Sequence, residues 1–193
     1  MNNNYQIKED FIIQIMKKGL IMATESFSNI IDKEVSLSKT SLVSLKNIRF
    51  KDKENNEAPL YIITTQLIGS IHGKSFLILH QREFNEIVKL IGDQNNQEVK
   101  EGFLLEIDNI ISATVISNLS NELSKEVYGD VPKLFMVKTS DVKNFIHHHT
   151  LEYSGLVLQS ELQIEGVESV TLLFTWVLDS KITALVPTKN LVV

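Results

Sequence analysis

The stretch "EIDNIISATVISNLSNELSKEV", residues 106–127, decides how this 193-residue chain is read. Its last eight residues, SNELSKEV, resemble SNIIDKEV at 28–35, with Ser, Asn, Lys, Glu and Val at the same places 92 positions apart. Both copies end a long stretch of apolar residues spaced by three and four. The first has Phe11, Ile12, Ile15, Met16, Leu20, Ala23, Phe27, Ile30 and Ile31; the second has Leu104, Ile107, Ile111, Val115, Leu119 and Leu123. That spacing is the signature of a helix burying one face. The chain therefore reads as two related halves, about 8–92 and about 101–193, within a single domain spanning 1–193.

Working outward, each helix leads to a strand-like run: SLVSLKNI (41–48) in the first half and KLFMVKT (133–139) in the second. Each run is followed by a hairpin candidate. LYIITTQLIGSIHGKSFLIL (60–79) has Gly73 in its turn, and LVLQSELQIEGVESVTLLFTWVL (156–178) has Gly166. QREFNEIVKLIG (81–92) predicts a short helix stopped by Gly92, and DQNNQEVKEG a polar connector. Pro59, Pro132 and Pro187 are placed at strand boundaries, because proline cannot donate to a ladder. The expected fold class is α+β: pseudo-twofold halves of helix plus strands, with an antiparallel sheet packed against two long helices.

Composition bounds the function. A 43% hydrophobic, 22% charged chain can bury a sizeable core. Its net charge of −5 argues against nucleic acid as a main partner, since phosphate neutralisation needs clustered Lys and Arg. No apolar run approaches the roughly 20 residues needed to cross a bilayer, so no membrane partner is expected. The absence of cysteine removes thiol catalysis and thiolate metal sites. A cytoplasmic protein is expected.

On the second helix, at about 100° per residue, Asn109, Ile110, Ala113, Ser117 and Ser120 fall within about 60° of Glu106. This side is polar at one end and small along its length, a face on which another surface could dock. Asp108 falls on the apolar side instead. The repeat supplies a control within the chain. Glu106 and Asn109 correspond to Gln14 and Lys17, whereas the core position Ile107 corresponds to Ile15. The polar pair is thus dispensable for the helix pattern, which favours a functional role over a structural one.

EIDNIISATVISNLSNELSKEVYGDVP resembles the signature of the CheC/CheX family of chemotaxis phosphatases, which act on the phosphorylated response regulator CheY. Glu106, Asn109, Leu119, Ser120 and Pro132 match the family pattern, and the duplicated layout resembles the family's pseudo-twofold fold. The resemblance implies hydrolysis of a CheY-type aspartyl phosphate. Asn109 would orient the attacking water, and Glu106 would anchor the regulator's active-site lysine. Ile110, Ala113 and Ser117 would contact the partner, and Mg²⁺ would be supplied by the regulator, with no cofactor of the chain's own. A single Glu/Asn pair resembles the CheX arrangement, for which the family implies a homodimer. Asp108 stands where the family usually has Gly. The alternative from another class is a non-catalytic adaptor that binds a response regulator or a flagellar switch component.

Three other stretches read as structural. GSIHGKS (69–75) is one residue short of a phosphate-binding loop and joins two strands, so it reads as a hairpin turn. HHHT (147–150) reads as an extended, solvated loop, and KDKENNEAP (51–59) as a charged one. Trp176 reads as core.

Overall fold

The computed structural model describes residues 3–48, 59–91, 96–153, 155–167 and 170–187. Helix α1 (Asn3–Ile31) leads to strand β1 (Val35–Val43), the hairpin β2 (Pro59–Gly69) and β3 (Gly73–His80), and helix α2 (Gln81–Val88). The second half runs α3 (Gln97–Leu123), β4 (Val127–Gly129), β5 (Lys133–Lys138), α4 (Val142–His149), and the hairpin β6 (Gly155–Ile164) and β7 (Thr171–Asp179). The strands form one antiparallel sheet in the order β1-β6-β7-β3-β2, with β4 and β5 both pairing along the outer edge of β2.

This order is the duplication written in space. β7 and β3 meet at the centre, β6 and β2 flank them, and β1 faces the β4–β5 segment across the sheet. Each half also hands its first strand to the other: β1 pairs with β6, while β4 and β5 pair with β2. The two halves are therefore interlocked in one sheet.

The matching octapeptides have a shared structural task. Asp32 and Ser124, again 92 positions apart, hold φ of 52° and 51° and end their helices in the left-handed conformation. The amide of Lys33 bonds the carbonyl of Ser28, and the amide of Lys125 bonds that of Ser120. The two halves thus stop their long helices in the same way.

One core lies between the sheet and the pair α1/α3. It holds Ile12, Met16, Leu20 and Phe27 of α1, Leu104, Ile107, Ile111, Val115 and Leu119 of α3, and Leu67, Leu77, Phe174 and Trp176 of the sheet. A smaller core on the opposite face joins Leu60, Ile62, Phe76, Ile78, Val157 and Val177 to Val142 and Ile146 of α4. α1 and α3 cross closely at Gly19, where an added Cβ would come within 3.1 Å of the Val115 Cα. Beside it the Asn118 amide donates to the Ile15 carbonyl at 2.8 Å.

Several local expectations change. The first strand is Val35–Val43, and Leu45–Asn47 is a short 3-10 turn, so the run at 41–48 is only partly extended. β1 pairs with β6 from Val35 onward, and that long-range pairing sets the strand's start. Gly73 is the first residue of β3, paired with Leu67 and Leu178, so the turn is 70–72, entered from Gly69 at the end of β2 with φ 107°. Gly166 does sit in its turn, at φ 73°. The connector is helical from Gln97, because the Asn96 side chain accepts from the amides of Glu98 and Val99 and caps α3. Pro59 and Pro132 flank strands as expected, but Pro187 follows a 3-10 segment (Ser180–Leu185). HHHT is not extended: His147–His149 form the last turn of α4. The charged stretch 51–58 and Gly92 lie outside the described residues.

Candidate functional site

α3 is long enough to bury one side and expose the other. Its buried row includes Leu104, Ile107, Ile111, Val115, Leu119 and Leu123, and its exposed row includes Glu106, Asn109, Ala113 and Ser117. Ile110 lies at the margin and is half-buried, as is Ser120. Glu106 and Asn109 stand one turn apart, about 4.5 Å along the axis. Among the described residues neither side chain has a hydrogen-bond or ion-pair partner, so both are free to meet another molecule. Four of the five expected site residues therefore share an open stripe, with Ile110 beside it.

The equivalent stripe of α1 is different in kind. Gln14 and Lys17 are exposed there, but Lys18, Ile21 and Glu25 stand where α3 has Ile110, Ala113 and Ser117. Lys18 is also engaged with Glu122 of α3 at 2.5 Å. Only the α3 stripe combines a polar pair with small side chains that let a second surface approach.

Asp108, directly before Asn109, points the other way. It is fully buried, and its Oδ2 accepts a hydrogen bond from Thr65 Oγ1 at 2.6 Å, while Oδ1 has no partner. Burial pushes its pKa up to about 7, partly opposed by the Thr65 hydrogen bond. A neutral carboxyl is the form that such a site tolerates at lower cost. Thr65, the partner of this acid, is adjacent in register to Ser75 of β3, which is in turn adjacent to Trp176 of β7. Trp176 is core as expected, but its Nε1 is also buried without a partner. The helical-wheel angle placed Asp108 on the core side; its partner Thr65, 43 positions earlier, carries no sequence signal of the contact.

Among the described residues, no three His, Asp or Glu side chains gather so as to hold a metal, and no helix is long and apolar enough to cross a membrane.

No protein-family model matches the chain, and no curated protein sequence is significantly similar to it. Solved structures do match. FliY of Thermotoga maritima superposes with a TM-score of 0.64 at 16% identity, covering 92% of each chain. CheX of Desulfovibrio desulfuricans gives 0.59 at 14% identity, over 86% of this chain and all (100%) of that one. CheX of Borrelia burgdorferi, solved in complex with CheY, BeF3 and Mg²⁺, gives 0.55 at 13% identity, over 84% and 96%. CheC-like proteins and FliM middle domains are also among the matches. At such low identity the likeness is one of architecture, and the chain has the CheC/CheX-type fold.

Proposed function

We propose that this chain is a CheX-like phosphatase that hydrolyses the aspartyl phosphate of a CheY-type response regulator. The observation that carries the reading is the exposed, unpartnered pair Glu106 and Asn109 at the head of a stripe of small residues on α3. The complex of a fold relative, CheX of Borrelia burgdorferi, with CheY supports the choice of partner.

The chemistry asks little of the helper protein. An aspartyl phosphate is an acyl phosphate, and its carboxylate leaves without needing a proton. Placing water in line with the scissile bond is the main task. The water oxygen bonds to phosphorus while the bond to the aspartyl oxygen breaks, yielding a free carboxylate and inorganic phosphate. Asn109 is suited to hold that water because a carboxamide both donates and accepts yet brings no negative charge to the phosphate. Glu106, one turn earlier, pairs with a lysine of the regulator and fixes the depth of insertion. Ala113 and Ser117 keep the rest of the stripe low, and Ile110 adds apolar contact at its margin. Mg²⁺ belongs to the regulator's phosphorylation site, so the chain needs no metal of its own.

A second reading is an adaptor that docks on a regulator or a flagellar switch component without catalysis. The fold shared with FliM middle domains and the absence of the pair from α1 favour it. Phosphate release from a phosphorylated regulator, measured with and without the protein, separates the two: acceleration supports the phosphatase, and binding without acceleration the adaptor.

A further inference from the structure

Two sequence features that the α3 site does not use meet on the other face of the sheet. Lys74, from the GSIHGKS turn, alternates with Phe76 and Ile78 and so shares their face, the one covered by α4. Its Nζ lies 3.4 Å from Nδ1 of His149, the last residue of α4. Lys133 enters from β5, opposite Thr64 in register, two residues before Phe135. The rings of Phe135 and Phe145 pack on the His149 ring and wall this corner.

Among the described residues, the positive charge of this corner is not matched by an ion-paired carboxylate. Lys74 is half-buried, and its pKa is lowered first by that burial and then by the charge of Lys133; Glu152 opposes the shift without reaching ion-pair distance. His149 is likewise held below its ordinary value by burial, with Lys74 and His148 adding to the effect. Among the described residues no carboxylate forms an ion pair with Lys74 or Lys133. The nearby carbonyls at the end of α4 are already engaged, since the Thr150 hydroxyl bonds the Ile146 carbonyl and its amide that of His147.

Donors also point to a ligand. A lysine ammonium only donates, so the contact with Nδ1 of His149 uses one N–H of Lys74 and leaves two more. Across the ladder Gln66 is the direct partner of Lys74, and its amide donates to the phenol oxygen of Tyr153. The Tyr153 O–H then has no acceptor among the described residues. Two ammonium groups and a phenol suit an anion carrying two charges and several acceptor oxygens better than a single carboxylate.

We propose that Lys74, Lys133 and Tyr153 form a binding site for a phosphate group, free or as a phosphomonoester, on the sheet face opposite α3. The site stands apart from Glu106 and Asn109, and it does not depend on phosphatase activity.

Nuclear magnetic resonance titration of the full chain tests it, using inorganic phosphate and phenyl phosphate separately, with chloride at matched ionic strength. Expected are saturable shifts around residues 74, 133, 149 and 153. Affinity should weaken at least ~10-fold in Lys74→Gln and in Lys133→Gln, and remain unchanged in Lys18→Gln. Saturation by both ligands assigns the site to the phosphate group itself, and saturation by phenyl phosphate alone to a phosphomonoester. Should Lys74→Gln fail to fold, the exposed Lys133 carries the test. Shifts that never saturate, that chloride reproduces, or that persist undiminished in folded Lys133→Gln overturn the proposal.

Discussion

Thr65 Oγ1 donates to Asp108 Oδ2 across 2.6 Å, tying strand β2 to the turn of α3 that carries Asn109 on its outer side. Thr65 and Asp108 are both buried, and this is the only hydrogen bond the carboxyl makes among the described residues. The candidate site is therefore seated on a group whose charge depends on pH.

That dependence has a definite sign. In the folded chain Asp108 keeps its proton up to about 7, whereas the ordinary value is 3.8. Between these values the folded state binds more protons, so stability is greatest at the acid end and declines as pH rises through about 7. The loss is on the order of a few kcal/mol as an upper bound. Asp108→Asn, which cannot ionise, should flatten this part of the profile. Denaturant unfolding between pH 5 and 8 reads it, and a wild-type curve parallel to that of the variant over this range would contradict the assignment.

The helix pair makes a second, separate demand. Gly19 has no room for a side chain against the backbone of Val115. Gly19→Leu should lower stability by about 2 kcal/mol or more, through separation of α1 from α3. Asn118→Ala, which removes the bond to the Ile15 carbonyl, should cost about 1 kcal/mol. Thermal unfolding of both variants measures this; a Gly19→Leu protein as stable as the wild type would contradict the close approach of the two helices at Gly19.

The small stripe predicts a steric effect confined to binding. Ala113→Trp places a large ring on an exposed position, so the fold should tolerate it within about 0.5 kcal/mol. Binding to a CheY-type regulator should weaken at least ~10-fold. The equivalent change on α1, Ile21→Trp, should leave binding unaltered. Isothermal titration with both variants checks the pair of outcomes, and equal losses from the two would remove α3 from the docking face.

What could be read in the sequence was whatever repeats locally. The apolar spacing of Ile12 to Ile31 and of Leu104 to Leu123 gave both long helices, and the paired octapeptides gave the duplication. The exposed positions of Glu106, Asn109, Ala113 and Ser117 follow from the same helical angle. The missed features depend on contacts between distant residues. β4 is three residues long and exists because it pairs with the end of β2. α4, with its VKNFIHHH sequence, has one turn of buried apolar residues, Val142 and Ile146, and needs the sheet's second face to stabilise it. The exchange of outer strands between the halves leaves no local mark, nor does the seat that Thr65 provides for Asp108.

The most direct test is the rate of phosphate loss from a phosphorylated CheY-type regulator with the wild-type chain, Asn109→Ala and Glu106→Ala. Acceleration by the wild type is expected, with at least a ~100-fold loss of that acceleration in Asn109→Ala. Binding should be retained in Asn109→Ala and weakened in Glu106→Ala, and both variants should unfold at the wild-type temperature. Full acceleration by Asn109→Ala would contradict the central claim, because no other exposed carboxamide on the stripe stands beside Glu106.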